Sequence, residues 1–343
     1  MSFGRIGSVR ELRDGRLLLG DAQTRLLFVV DLERLTKRQV GRTGDGPGEY
    51  RGPGAIFALS GDTSLMLDSH NRKWYLLDAD RFVNSASWMK DQVPMWRGDL
   101  SGVSSAGQYL DVTSLGARCR APFSLPRGRP ECSDSVAMIR RSPAGAGDTV
   151  ARGKSWFLSA ISKKKVINGL PVSFFSMHPL QSFDQGMLFP DGAIAIARVR
   201  PYGVQWISPN GSVTNGPEIR EPPITLTAKQ RTAIAEAYSH DVNGDPIHSA
   251  SDFPSWPSVA PPFLSRALLP GMDGRLYVVR TWDGASPVRR VDVFDRAGQR
   301  VGAFELPQRE RLLAVSRASI YVARIDENEE EILVRYRLPA GLR

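Results

Sequence analysis

Residues 6–41 read IGSVRELRDGRLLLGDAQTRLLFVVDLERLTKRQVG, and this stretch decides the fold. Four short β-rich runs, Ile6–Leu12, Arg16–Gly20, Leu26–Asp31 and Lys37–Gly41, are separated by Asp14-Gly15, by Gln23-Thr24 and by a polar corner. The gaps carry turn chemistry, and the runs carry the branched and aromatic residues that suit a pleated strand. The same pattern recurs as Ala55–Leu59, Ser64–Asp68, Lys73–Asp78 and Arg81–Ser87. A unit of about 45 residues holding four strands has the size and content of a propeller blade, in which radial repetition of antiparallel sheets leaves only short protected edges.

Later units keep the rhythm with interruptions. Leu100–Ser104, Tyr109–Ser114, Ser135–Arg140 and Thr149–Arg152 make a third, broken by the arginine- and cysteine-containing segment 116–134. Phe183–Phe189, Ala193–Arg198, Val204–Ser208 and Ser212–Ile219 make a fourth, with hairpin signals at Pro190-Asp191-Gly192 and Pro209-Asn210-Gly211. Leu264–Leu269, Arg275–Thr281, Val288–Asp295 and Arg300–Leu306 make a fifth, and Arg311–Val315, Ser319–Arg324 and Ile332–Arg337 begin a sixth. Between the fourth and fifth, Thr227 followed by Gln230 forms a capping box: the threonine hydroxyl accepts an amide of the first turn while the glutamine reaches back. That predicts a short helix through about Tyr238, inside an insertion spanning about 220–262. The expectation is an all-β chain: a single six-bladed β-propeller domain over residues 1–343, with a short helical insertion between blades four and five.

Composition agrees with this reading. At 41% hydrophobic and 24% charged residues, the 343-residue chain is neither a disordered tail nor a polytopic membrane protein. Its 32 glycines and 24 prolines punctuate many short strands. No apolar run approaches the roughly 18–20 residues of a transmembrane helix. The start, Met1-Ser2-Phe3-Gly4-Arg5-Ile6, lacks a basic region followed by an apolar one. The expectation is a place on the cytoplasmic side, peripheral to a membrane, or a periplasmic one if the N-terminus is truncated. Cys119 and Cys132 make a poor zinc pair without further ligands, and disulfide and reduced states both stay open.

The net charge of +9 is unevenly placed. Between Arg97 and Lys165 stand twelve basic residues against five acidic ones. Such a field favours an acidic protein or an anionic lipid surface as partner. Nucleic acid is disfavoured, because no stacking set or helix-turn-helix pattern accompanies the charge.

The run Gly41-Arg42-Thr43-Gly44-Asp45-Gly46-Pro47-Gly48-Glu49-Tyr50, followed by Gly61-Asp62 and Leu67-Asp68, resembles the blade-joining signature of bacterial six-bladed propellers related to the NHL and TolB-like groups. Echoes stand at Pro261-Pro262-Phe263, at Asp273-Gly274-Arg275-Leu276-Tyr277 and at Arg335-Tyr336-Arg337-Leu338. The resemblance covers most of the chain and implies the fold rather than an activity. It also implies imperfect closure, since relatives carry a further N-terminal segment that supplies the outer strand of the last blade. In size and type the chain is similar, too, to a membrane-extrinsic propeller subunit of a bacterial photosynthetic reaction-centre complex.

The glycine-rich run at 41–48 lacks the Gly-Lys-Ser/Thr end of a phosphate loop, so its glycines are read as positive-φ joints between blades. His178, six residues before Asp184, is a candidate catalytic base with a carboxylate to orient it. Asp241, Asn243 and Asp245, with Asp252 further on, offer clustered oxygens of the kind calcium takes, although Pro246 stands where such a loop wants glycine. A transition metal, with His240 and His248 nearby, and a plain polar loop remain as other readings of the turn. Arg118, Arg120, Arg127 and Arg129, with Lys163, Lys164 and Lys165, are candidate partner-binding residues, and Trp156 and Phe157 the apolar anchors beside them.

Two functions follow. The first is a non-catalytic scaffold, without a cofactor or with Ca²⁺ alone, docking on a larger membrane-bound complex such as a photosynthetic reaction centre. The second is a channel-centred lyase or lactonase-like hydrolase using His178 and a bound metal.

Overall fold

Each sheet begins where an apolar run meets a tight turn, and six such sheets follow one another along the chain. The computed structural model describes residues 1–343 except 47, 69, 72, 87–97, 114–134, 143–145, 158–159, 168–169, 239–248, 254, 328–329 and 343. Sheet one holds Ile6–Glu11, Leu17–Asp21, Leu26–Asp31 and Thr36–Gln39; sheet two holds Pro53–Ala58, Thr63–Asp68, Lys73–Asp78 and Arg81–Ala86. Sheet three holds Gly98–Val103, Tyr109–Thr113, Ser135–Arg141 and Gly147–Phe157, with Ser182–Phe183 as a fifth, outermost strand. Sheet four holds Gln185–Leu188, Ile194–Arg198, Gly203–Ile207 and Val213–Asn215, and sheet five Phe263–Pro270, Leu276–Arg280, Val288–Phe294 and Arg300–Pro307. Sheet six is Glu310–Val315, Ser319–Ile325 and Glu331–Arg337, joined by Ser2–Phe3.

Buried apolar clusters stand at each of the six joints, which is what makes the sheets a ring. Leu18 and Val29 meet Met66 and Tyr75 between sheets one and two, and Leu65 and Trp74 meet Val103 and Tyr109 between two and three. Leu110 and Met138 meet Ile194 and Ile196 at the next joint, and Ala195 and Trp206 meet Phe263 and Val278 at the fourth. Tyr277 and Val291 meet Leu312 and Val322, and Tyr321 and Leu333 meet Leu17, Leu19 and Val30. Every sheet is therefore covered on both faces. Runs such as Leu17-Leu18-Leu19, buried throughout, follow from that burial rather than from simple alternation.

Closure is complete, contrary to the expectation of an imperfect last blade. Ser2 pairs with Ile332 and Phe3 with Glu331, so the first residues of the chain supply the outer strand of sheet six. Phe3, 3% exposed, fills the final joint. The Glu331 carboxylate accepts the Ile6 amide at 2.6 Å and the Arg311 guanidinium at 2.8 Å. Removing that charge by Glu331→Gln should cost about 1–2 kcal/mol, the scale of a charge-assisted hydrogen bond, and should speed amide exchange at Ile6. An unchanged urea midpoint would show that the seam is held by Phe3 alone.

The helix Ala228–Tyr238 lies between sheets four and five with Thr227 as its cap. The Thr227 hydroxyl accepts the Gln230 amide at 3.3 Å, and the Gln230 carboxamide accepts the Thr227 amide at 2.9 Å. One element goes beyond expectation: Ala160–Ile167 and Leu170–Met177 form a two-stranded hairpin after sheet three. In the glycine-rich joint the Glu49 carboxylate accepts the Gly46 amide at 2.8 Å, so the loop turns this amide to its own chain. Gly41, at φ 66°, has Phe82 and Tyr50 packed where a Cβ would stand. No helix among the described residues is long and apolar enough to cross a membrane.

Candidate active site in the central channel

The first strand of every sheet is its innermost, so six strands end around one axis. Where they end, a cavity of about 210 Å³ opens. Its wall is mostly apolar: Ile56 and Phe57 from sheet two, Leu100 from three, Met187 from four, Leu269 from five and Leu313 from six. Met272, 41% exposed, stands at its rim. Four polar residues complete the lining: Arg10, Glu11, Ser316 and Tyr321.

These four are positioned differently. Adjacent side chains of a strand leave on opposite faces, so Arg10 turns toward sheet two and Glu11 toward sheet six. Arg10 is 4% exposed and donates to the carbonyls of Gly61, at 2.6 Å, and Thr63, and to the Ser64 hydroxyl. Burial pushes its pKa down to about 10 against the pull of Asp62, so it stays charged at neutral pH and staples two blades together. Ser316 is taken by its turn, where its hydroxyl accepts the Ser319 amide at 3.1 Å. Glu11 accepts the Tyr321 hydroxyl at 2.6 Å. Burial first, and then this bond, raise the Tyr321 phenol above its ordinary range, so it remains a proton donor to the carboxylate. Glu11 is thus the only carboxylate among the described lining residues, with one oxygen held by tyrosine.

The residues singled out from sequence fall elsewhere. His178 is 1% exposed and lies with the helical insertion, edge-on to Phe253 at 4.8 Å and Trp256 at 4.6 Å. Its Nδ1 accepts the Leu180 amide at 3.0 Å. Asp184 accepts the Val199 amide at 2.8 Å, the Lys154 amide at 3.1 Å and Arg198 at 3.0 Å. The two groups are committed to different partners. Asp252 accepts the Ser249 amide at 2.8 Å in a short 3₁₀ turn, while Asp241, Asn243 and Asp245 lie outside the described residues. Among the described residues no three His, Cys, Asp or Glu side chains converge as a metal site.

Arg118, Arg120, Arg127 and Arg129, with Cys119 and Cys132, also lie outside the described residues. Lys163, Lys164 and Lys165 stand on the first strand of the extra hairpin, opposite Phe174, Ser173 and Val172. Trp156 packs half-buried against the core between sheets four and five, and Phe157 ends its strand in register with Ser182.

Burial holds the pKa of His178 down at about 4, opposed by a bond to the Ser255 backbone. The unfolded chain takes its proton near 6.5 and the folded one only near 4, so full stability is present above pH 6.5 and falls as pH drops toward 4. A shift of this size is worth roughly 3 kcal/mol. His178→Gln should flatten that part of the pH–stability curve, measured by urea unfolding. A curve equally steep in the variant would assign the loss to other groups.

The fold defines this chain as a six-bladed β-propeller, with a cavity at the end of its channel. No family model matches the chain, and no curated protein matches it. Among solved structures it is similar to a streptogramin B lyase, at 10% identity over 99% of this chain and 85% of that one, with a TM-score of 0.42. It is also similar to a luciferin-regenerating enzyme, at 8% identity over 100% and 94%, TM-score 0.45. A third is the calcium-binding protein regucalcin from Agrobacterium tumefaciens, at 9% over 98% and 92%, TM-score 0.41.

Lyases and a regenerating enzyme are what the chain is similar to, which corrects the expectation of a non-catalytic scaffold docked on a photosynthetic reaction-centre complex. At these TM-scores the likeness assigns no particular activity to this chain.

Proposed function

We propose that this propeller is a channel-centred enzyme of lyase or lactonase-like type, acting by proton transfer on a small, largely apolar molecule. The observation that carries the reading is Glu11, the only carboxylate among the described lining residues, hydrogen-bonded to Tyr321 in the mostly apolar cavity where all six innermost strands end. A lone carboxylate in such a wall suits general acid–base work, and convergent polar groups in an apolar pocket suit substrate binding.

Tyr321 holds Oε2 and so leaves Oε1 for the reaction. With a lactone, Glu11 takes a proton from water as the water oxygen bonds to the carbonyl carbon. The ring C–O bond then breaks and the departing oxygen takes that proton back, leaving a hydroxy acid and Glu11 as it began. In an elimination the same oxygen would take a proton from carbon while the leaving group departs. His178 has no part in this reading, because it is packed under the insertion.

Hydrolysis of dihydrocoumarin, an apolar lactone, tests the cavity directly. Ala58→Trp would fill it from the end of the innermost strand of sheet two. Turnover by the unaltered protein and a loss of at least about tenfold in the variant are expected, as for a substrate displaced from its reacting position. Equal turnover in a folded variant would move the chemistry out of the channel.

A further inference from the structure

Beside the channel mouth, three turns meet around an open pocket of about 630 Å³. Each turn joins the innermost strand of its sheet to the second: 59–60 in sheet two, 104–108 in sheet three and 190–192 in sheet four. The pocket abuts the channel cavity at Pro190, which lines both. Its frame is fixed from within. The Ser105 amide donates to the Pro190 carbonyl at 2.7 Å, and the buried Ser104 hydroxyl accepts the Gln108 amide at 3.1 Å. Asp191 is committed as well. Its carboxylate accepts the Ala193 amide at 3.1 Å and pairs at 3.2 Å with Arg296, whose guanidinium stacks on Phe189 at 4.4 Å and on Trp206 at 4.3 Å.

One wall of this pocket carries a cation without a counter-charge. On the strand Ser135–Arg141, the side chains of Val136, Met138 and Arg140 leave on the same face, and Val136 and Met138 are buried against Ile194, Ile196 and Ile207 of sheet four. Arg140 continues this row past the core and lines the pocket, half-buried. Among the described residues no hydrogen bond or ion pair engages its side chain, although Asp148 stands opposite it in the ladder. An apolar row thus ends in a guanidinium, and drawing an unpaired charge even partly out of water costs stability. The hydroxyls of Ser60 and Ser105 and the Gln108 carboxamide, in the same pocket, are likewise unengaged among the described residues.

We propose that this pocket is a second ligand site, which takes a small monocarboxylic acid with neutral amide groups, such as an N-acylated amino acid, with Arg140 holding its carboxylate. The site stands apart from the reaction at Glu11. The planar fork of arginine matches the two oxygens of a carboxylate. One unpaired guanidinium balances one negative charge, whereas a phosphate would bring nearer two beside Asp191. Hydroxyls and a carboxamide both donate and accept, as the amides of such a ligand require, and Leu59, Pro190 and Pro209 offer apolar wall for its alkyl groups.

The test titrates isotope-labelled protein with N-acetylalanylalanine, with its C-terminal amide and with inorganic phosphate, read at the backbone amides of Ser60, Ser105 and Gln108. The unaltered protein should bind the acid about tenfold tighter than the amide, the scale of one charge-assisted hydrogen bond. Arg140→Met should abolish that preference and keep its urea midpoint, since it leaves no charge unpaired. Ser105→Trp, on an exposed turn, should fill the pocket and weaken the acid by about tenfold or more, and it keeps the test open if Arg140→Met does not fold. Equal affinity for acid and amide, a preference that survives in Arg140→Met, tighter binding of phosphate than of the acid, or no shift at the three amides would overturn the proposal. The channel reading is tested separately, by turnover, and stands or falls on its own.

Discussion

Replacing Asp292 by alanine should destabilise the protein by about 3–5 kcal/mol, because it removes the fully buried carboxylate that partners the buried Arg280 and the Tyr202 hydroxyl. The carboxylate is fully buried and bonds Arg280 at 2.7 Å, Arg290 at 2.7 Å and the Tyr202 hydroxyl at 2.8 Å. Arg280, itself only 11% exposed, also reaches Glu221 at 2.7 Å and stacks on the Tyr202 ring at 4.5 Å. Burial works to raise the Glu221 carboxyl, yet hydrogen bonds from Arg300 and Arg280 outweigh it and hold it below its usual range. The network fastens sheet five to the segment that leaves sheet four. Since its members share partners, Asp292→Ala combined with Arg280→Met should cost clearly less than the two single changes added. Urea unfolding of the four proteins measures this. A single-variant loss below about 1 kcal/mol would mean that water reaches the cluster and screens it, as it does surface pairs.

Glu11→Gln should lower turnover of a lactone substrate by about 10²–10⁴-fold, the usual worth of a positioned acid–base group. The amide oxygen can still accept the Tyr321 hydroxyl, so fold and Tm should hardly change. That separation makes the variant informative. Tyr321→Phe should lose less, because it frees the carboxylate from its orienting bond without removing the base. Full activity in the glutamine variant would remove Glu11 from the chemistry.

Much of the ring was legible in the sequence, because covered sheets leave dense apolar runs and tight turns leave Asp-Gly and Asn-Gly pairs. The helix was legible for a local reason, its capping box, and its end at Tyr238 was expected. Closure was not, since a two-residue strand such as Ser2–Phe3 has no periodicity to display. The extra hairpin was hidden as well, for Lys163-Lys164-Lys165 interrupts the alternation that marks a strand. The site escaped for a different reason. Glu11 and Tyr321 are 310 residues apart, and only the ring brings them together. A signal was present all the same: the innermost strands of sheets two, three, four, five and six end in Ala58, Val103, Leu188, Pro270 and Val315, and only that of sheet one ends in a carboxylate. His178 drew notice as a rare residue type, although a histidine before a strand is as readily buried among aromatics as set in a channel.

The central claim, that the channel cavity is where the ligand binds, is tested most directly by titrating methyl-labelled methionine protein with dihydrocoumarin. Met187 lines the cavity and Met272 its rim, whereas Met66 and Met138 are buried between blades. The account predicts saturable shifts at Met187 and Met272 with Met66 and Met138 unmoved. Shifts confined to other methionines, or none at millimolar ligand, would contradict it.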